Sequence, residues 1–158
     1  MPLIISGPGV KKGKNHNFAF VTDIAATISD IVFEEVDQRI IGKSLKNSLA
    51  GANENNYKDS EAIGLEVTGN SALFKGNYKI VRNRPPHGSN EWELYNLYKD
   101  PGETQNLASK MPDKLFELLK DYDPYDEKNG VIELPQDYGW AEEMTINTFK
   151  RNFLPLLW

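Results

Sequence analysis

The residues that could carry acid–base or metal chemistry are few in this 158-residue sequence. Cysteine is absent, which excludes disulfide bonds, thiolate catalysis and cysteine metal sites. His16 and His87 are the only histidines, so a histidine-rich metal site cannot be built. Any hard cation would have to be bound by carboxylates. The acidic stretch 121–130 (DYDPYDEKNG) is such a candidate, but it lacks the ligand spacing of an EF-hand loop. We predict that it is the end of a helix followed by a solvated loop.

Composition and charge narrow the class of protein. Charged residues make up 26% and apolar residues 39% of the sequence, as in ordinary globular proteins, and the length allows one domain or two small ones. The net charge of −5 and the pI near 5.1 argue against binding to a phosphate backbone, so we expect no nucleic-acid partner. No apolar run reaches the roughly 18 residues of a membrane span, and residues 1–14 lack the pattern of a signal peptide. We therefore expect neither a membrane span nor self-directed export.

Two elements are predicted before residue 52. The apolar run 2–6 (PLIIS), bounded by the turn signal GPG, is typical of a buried parallel strand. In 20–36 (FVTDIAATISDIVFEEV), apolar residues at helical spacing predict a helix with Thr22 or Asp23 as its N-cap. This stripe must face a sheet. The Asn- and Gly-rich stretch 51–61 predicts an exposed connector, and we place the structural boundary there.

Beyond residue 60 the apolar period changes from helical to strand-like. Four short strands are predicted, in AIGLEV (62–67), SALFKG (71–76), NYKIVRN (77–83) and NEWELYNLY (90–98). Gly69-Asn70 and Gly76-Asn77 lie between the first three, and each dipeptide can supply the positive φ angles of a tight hairpin. The strands are therefore predicted to pair as an antiparallel meander. The last loop, 84–90 (RPPHGSN), is longer and proline-rich, so it should project from the end of the sheet.

An abrupt corner follows the last predicted strand. Pro101 lacks the N–H that a ladder needs, so the strand should stop just before it. Asp100 and Glu103 have the spacing of a capping box, in which the second side chain reaches back to the first residue. Pro112 and an apolar stripe that ends at Tyr122 predict a helix that covers one face of the sheet. The fold class is thus α+β: a four-stranded antiparallel sheet with a packed helix.

Ordered in this way, the sequence resembles the C-terminal third of an arylsulfatase, in the alkaline-phosphatase-like superfamily. The resemblance rests on PLIISGPGV followed by VTDIAATISDIV, on GKSL followed by LAG, on ALFKGNYKIV and on WELYNLYKDPGETQNLA. Ala26 stands where the family often has proline, and KNSLAG is more polar than usual. The resemblance implies that residues 1–52 are the strand–helix end of an α/β catalytic core and that 53–124 form the antiparallel sheet and helix subdomain. Residues 125–158 are then a partly helical tail.

The resemblance also implies an activity, sulfate-ester hydrolysis, whose machinery this sequence lacks. Sulfatases attack sulfur with a formylglycine made in a Cys/Ser-x-Pro-x-Arg motif, beside a calcium ion held by Asp and Asn. The stretch 6–10 (SGPGV) has Ser and Pro at that spacing, but Val10 stands where arginine is required, and the segment matches a late turn of the family. No catalytic, cofactor-binding or metal residue is carried over. Calcium and formylglycine are expected only in the full-length family enzyme.

Two functions are consistent with these observations. The first is a C-terminal fragment of a sulfuric ester hydrolase that supports a missing N-terminal catalytic domain and is inactive alone. His87 would then lie at the rim of the pocket for the sulfate ester, the alternative being a solvated loop histidine. The second is a stand-alone binding module for sulfated or anionic saccharides, using Trp92 and the lysines of 11–14. Uncovered apolar surface on the isolated chain favours a homo-oligomer. Relatives are often periplasmic, secreted or lysosomal, and the sequence leaves this chain's compartment open.

Overall fold

The computed structural model describes residues 3–34, 37–53 and 55–134. The chain divides into two compact units, Met1–Asp59 and Ser60–Trp158. The division falls inside the stretch 51–61. The domain bounds 1–52, 53–124 and 125–158 stay a prediction, and most of the tail lies outside the described residues. No described helix is long and apolar enough to cross a membrane.

The described residues of the first unit form two helices: α1 spans Thr22–Phe33 and α2 spans Lys46–Leu49. The strand predicted at 2–6 is not formed, since residues 3–6 have no regular secondary structure. A lone strand needs hydrogen-bonding neighbours, and the described residues of this unit include no other strand. The predicted N-cap differs as well, because Val21 occupies that position without a side-chain cap and Asp23 lies inside the first turn.

Asp23 is the polar centre of the first unit. Its side chain is fully buried. Its carboxylate accepts hydrogen bonds from the N–H of Phe20 at 2.7 Å, from the N–H of Lys43 at 2.8 Å and from the hydroxyl of Tyr57. A buried carboxylate is tolerated only when several donors satisfy it in this way. The acid expected at the helix start is therefore used to join α1 to the segment GKSL (42–45).

Thr27 and Gly42 complete the contact between α1 and residues 42–45. The hydroxyl of Thr27 donates to the carbonyl of Asp23 at 2.6 Å and accepts from the N–H of Leu45 at 2.9 Å. Gly42 lies so close that a Cβ atom there would fall 2.2 Å from the carbonyl oxygen of Thr22. Helix α1 and residues 42–45 are thus packed against each other, although Asp23 and Lys43 are 20 positions apart in the sequence.

The predicted apolar stripe of α1 is not the face that this unit buries. The buried residues of α1 are Asp23, Ala26 and Thr27. The large apolar side chains of α1 and of its N-cap are exposed, namely Val21 (63%), Ile24 (41%), Ile28 (57%), Ile31 (54%), Val32 (61%) and Phe33 (74%). We call Val21, Ile24, Ile28, Ile31 and Val32 the α1 stripe. Its pattern is that of a helix face that packs on a sheet. The described residues of this unit, however, form no sheet.

The second unit contains the predicted meander. Its strands are β1 (Ala62–Val67), β2 (Asn70–Lys75), β3 (Tyr78–Arg82) and β4 (Trp92–Asn96). They pair in the order β1-β2-β3-β4, each pair antiparallel. The helix α3 spans Pro112–Asn129. The α+β class, a four-stranded antiparallel sheet with a helix, is confirmed.

The first hairpin turns one residue earlier than the dipeptide rule placed it. Val67 pairs with Asn70, so the two-residue loop is Thr68-Gly69, with φ angles of 56° and 76°. Asn70 belongs to the ladder, and its side-chain Nδ2 donates to the carbonyl of Val67. In the second hairpin Gly76 has a φ of 55°, and the loop Gly76-Asn77 is as predicted.

Both faces of the sheet carry apolar side chains. One face packs on α3 through a core made of Leu73, Ile80, Leu94, Leu118 and Tyr122. The other face carries a second buried cluster, made of Ala72, Val81 and Tyr95. Because side chains alternate along a strand, the helix reaches only the first of these clusters. The sheet thus carries a buried apolar cluster on the face away from α3 as well.

Helix α3 continues past the end predicted for it. The sequence pattern placed the end near Tyr122, before a solvated loop, but the helix runs through Pro124 to Asn129 and ends at Gly130, whose φ is 60°. Proline within a helix removes one backbone hydrogen bond. The added turn is held instead by Tyr125, which packs against the main core cluster.

The corner after β4 uses Asp100 but not the predicted capping box. The Asp100 carboxylate accepts from the N–H of Thr104 at 2.7 Å and of Gln105 at 2.8 Å. Glu103 has a φ of 54° and reaches across to Lys79 at 2.7 Å instead of back to Asp100. A capping box needs a helix at that point, whereas these residues form turns and α3 begins only at Pro112.

Candidate functional site

The residues singled out from the sequence as chemically capable do not converge. His16 and His87 are both exposed and belong to different units. His87 lies in the loop between β3 and β4, where its N–H donates to the carbonyl of Arg84 at 3.0 Å. Its place at the rim of a substrate pocket stays a prediction.

The stretch 6–10 lies on the surface of the first unit. Ser6 is exposed, and the following turn is closed by the N–H of Val10 on the carbonyl of Gly7 at 3.3 Å. Lys11, Lys12 and Lys14 of the next loop are exposed as well. Across residues 3–34, 37–53 and 55–134, no three His, Asp or Glu side chains gather as a metal site would require.

A cavity in the second unit brings together polar residues that the sequence analysis did not connect. It encloses about 110 Å³ and is lined by Gly69, Ser71, Arg82, Arg84, Asn90 and residues 131–134. We call it the arginine cavity. Arg82 ends β3 and pairs with Ser71 of β2 on one side and Trp92 of β4 on the other. The sheet therefore presents these three side chains in one row.

Arg82 is held at the cavity by two contacts. Its guanidinium carbon lies 5.2 Å from the centre of the Trp92 ring, a distance at which a cation is attracted to the face of an aromatic ring. Its Nη2 donates to Glu133 at 2.9 Å. Its Nε is buried and has no acceptor in the described part of the chain.

Arg84 forms the other side of the cavity. Its N–H donates to the side-chain oxygen of Asn70 at 2.8 Å, and its Nη1 donates to the carbonyl of Leu134 at 2.8 Å. Asn90, with a φ of 63°, closes the loop by donating its N–H to the carbonyl of Asn83 at 2.9 Å. The loop that carries His87 therefore begins and ends at the cavity wall.

Trp92, the proposed sugar platform, is used within the fold. Its ring centre lies 5.1 Å from that of Tyr122 in an edge-to-face arrangement, and Arg82 lies against the same ring. The side chain is half-buried and packs on the main core. The ring of Trp92 is thus engaged by Arg82 and Tyr122 within the fold.

No sequence motif marks the arginine cavity, so it was not predicted. The one available signal was the spacing of Arg82 and Arg84, which alternation puts on the same side of a strand end. The far wall comes from residues 131–134, and their position depends on the turn at Gly130. That position follows from the unpredicted end of α3.

The sequence matches a known protein family over most of its length. Residues 1–122 match the family described as N-sulphoglucosamine sulphohydrolase, C-terminal. An uncharacterized sulfatase of Schizosaccharomyces pombe is 40% identical over 82 residues, 52% of this chain and 15% of that protein. Arylsulfatase K of Homo sapiens is 29% identical over 128 residues, 75% of this chain and 24% of that protein.

The fold comparison agrees with the sequence comparison. The crystal structure of a candidate sulfatase from Bacteroides thetaiotaomicron superimposes with a TM-score of 0.56 at 26% identity. The match covers 83% of this chain and 32% of that one. In these three proteins the matched part is less than a third of the whole.

Proposed function

The chain belongs to the family of sulfatase C-terminal domains described as N-sulphoglucosamine sulphohydrolase, C-terminal, and we propose that it supports the catalytic part of a sulfuric ester hydrolase without hydrolysing sulfate esters by itself. The observation that carries this proposal is the uncovered α1 stripe. A helix with apolar side chains in that number needs a partner layer. The layer that fits is the parallel sheet of an α/β catalytic domain, whose faces are covered by helices.

The chemistry of the family does not fit the described residues. Formylglycine requires Cys or Ser in a motif that ends in arginine, and here Ser6 is followed by Val10 at that place. Calcium in these enzymes requires several acidic side chains on one ion, and the described residues include no group of three His, Asp or Glu side chains placed to hold a metal. These two groups therefore belong, in this proposal, to the catalytic domain.

Hydrolysis by the isolated chain is the direct test. The purified 158-residue chain is incubated with an aryl sulfate and calcium chloride, and the release of the phenol is followed by absorbance. We expect phenol to be released no faster than in buffer without protein. An intact arylsulfatase serves as the positive control. Calcium-dependent turnover by the chain would overturn the proposal.

His87 can be tested at the rim of the substrate pocket once a catalytic domain is present. In a chimera that joins this chain to the catalytic domain of a related sulfatase, His87→Ala should raise KM more than it lowers kcat, because a rim residue contacts the substrate outside the reacting group. His16→Ala is the matched control, since His16 is exposed in the other unit. If His87→Ala and His16→Ala change KM and kcat equally, His87 does not lie at the rim of the substrate pocket.

A second candidate function is a binding module for sulfated or anionic saccharides. The observation in its favour is the arginine cavity rather than Trp92, whose ring packs within the fold. Binding to sulfated but not to neutral glycans on an array, lost on Arg84→Gln and kept in Lys12→Gln, would support this candidate. Uniform binding to all glycans would reject it.

A further inference from the structure

We infer that the arginine cavity is a binding site for a single oxyanion group of the sulfate class. The cavity lies wholly in the second unit, and nothing in the chemistry of ester hydrolysis assigns it a role. Its two arginines contribute two positive charges, against one negative charge from Glu133 among the lining residues. The net positive lining stands out in a chain whose formal charge is −5.

The size of the cavity suits a small anion. A cavity needs only about 10–15 Å³ to admit a water molecule, and the arginine cavity encloses about 110 Å³. A tetrahedral oxyanion with five heavy atoms fits in that space. We therefore expect the site to receive the charged group of a ligand.

Arg82 provides the strongest sign that an acceptor is missing. A buried N–H normally has a hydrogen-bond partner, yet the Nε of Arg82 finds none within the described residues while Nη2 of the same guanidinium binds Glu133. Guanidinium groups bind oxyanions best through two parallel N–H bonds. Glu133 uses only one of the two available on this side of Arg82.

Glu133 therefore acts as a weak resident acceptor. Its side chain is 73% exposed, against 21% for Arg82. An ion pair with one partner so exposed to water contributes little and is easily exchanged. An incoming oxyanion can replace Glu133 as the acceptor of the hydrogen bond from Arg82 Nη2. No buried contact is broken by this exchange.

The surroundings hold both arginines in place for such a ligand. Trp92 lies against Arg82, and the carbonyl of Leu134 holds one nitrogen of Arg84. Gly69 keeps the wall open, since a Cβ atom there would fall 2.8 Å from both the Cδ of Arg84 and a methyl carbon of Leu134. Ser71 is buried at the cavity wall and adds a hydroxyl that can donate to an anion.

The arginine side chains of the full 158-residue chain allow a direct test by NMR. The sequence has four arginines, at positions 39, 82, 84 and 151, so the Nε–Hε signals can be assigned by substitution. Sodium sulfate is titrated against sodium chloride at equal ionic strength. We expect saturable shifts of the Arg82 signal with sulfate, and no comparable shift of Arg39, which is exposed and paired with Asp37.

The source of the oxyanion is distinguished by further titrations with glucose 6-sulfate and with glucose. A shift with inorganic sulfate or with the sugar sulfate supports the site, and the stronger of the two identifies the preferred source. Shifts of the same size with chloride or with neutral glucose would overturn it. The hydrolysis assay does not enter this test, so the site and the proposed function can fail separately.

Two substitutions make the assignment to these residues falsifiable. Glu133→Gln removes the resident acceptor at an exposed position, so sulfate should bind about two- to fivefold more tightly. Arg84→Gln should abolish saturable binding, with an unchanged amide spectrum of the sheet as the check on folding. If Glu133→Gln leaves the affinity unchanged or lowers it, or if folded Arg84→Gln binds as before, the arginine cavity is not the site.

Discussion

The ring of Tyr125 fills the space in front of Gly64, so that a Cβ atom on Gly64 would fall 2.2 Å from the Cγ atom of that ring. Gly64 lies in β1 opposite Leu73, on the face that packs against α3. Burial raises the pKa of the Tyr125 hydroxyl, with the neighbouring Tyr122 adding to the effect. The strand therefore lacks a side chain where the last turn of the helix needs room.

Gly64→Ala should destabilise the protein by about 1–3 kcal/mol, because the added methyl group overpacks the contact with Tyr125. Urea unfolding followed by circular dichroism measures the change. In a Tyr125→Ala background the same substitution should be neutral or slightly stabilising, since glycine weakens a strand. An equal loss in both backgrounds would show that the two residues are not coupled.

Tyr57→Phe should weaken the first unit, because it removes one donor from the buried Asp23 carboxylate. Hydrogen bonds to charged groups contribute about 1.5–3 kcal/mol. Protection of the Lys43 N–H from hydrogen exchange should fall by about tenfold or more. Tyr98→Phe is the matched control at an 80% exposed tyrosine and should have no effect on this exchange.

The stability of the protein should depend on the ionisation of Asp100. The pKa of this carboxyl is below its ordinary value, chiefly because the N–H of Gln105 donates to it, with contributions from Thr104. A depressed folded-state pKa gives stability that is present above the unfolded pKa, about 3.9, and is lost as the pH falls through the folded pKa.

The Asp100→Asn substitution isolates this contribution. The variant should melt at a lower temperature than the original chain near neutral pH, and the difference should shrink as the pH falls below about 3.9. Calorimetry at a series of pH values gives the comparison. A difference that does not change with pH would mean that the charge of Asp100 plays no part.

The isolated chain should associate through the α1 stripe, because apolar patches beyond a few hundred Å² rarely remain solvated. Light scattering should show dimers or larger species, and Ile28→Lys should increase the monomer fraction. Ala50→Lys adds the same charge at an exposed position outside α1 and should not. A monodisperse monomer of the unchanged chain would contradict the prediction.

The strands and their order could be predicted because each depends on neighbours close in sequence. Alternation marks all four strands, and glycine at 69 and 76 marks the tight hairpins. The turn of the first hairpin was predicted one residue too late, since asparagine is also a common turn residue. In the structure Asn70 pairs with Val67 and is therefore the first residue of β2.

The elements that could not be predicted depend on distant contacts. The rule that proline ends a helix is local, and at Pro124 it is overridden by Tyr125 packing near Gly64. The strand at 2–6 needs partners that the described residues do not supply. The arginine cavity was missed for the same reason, because Glu133 reaches Arg82 only after the chain turns at Gly130.

The hydrogen bonds of Asp23 also have a consequence for building chimeric enzymes. They tie together residues from Phe20 to Tyr57, so this stretch has to be inherited from one parent. A crossover placed near residue 38 would take the segments that carry two of the carboxylate's three donors, Lys43 and Tyr57, from another parent. One placed at the division after Asp59 keeps every member of the set together, and is the natural junction for exchanging the meander between relatives.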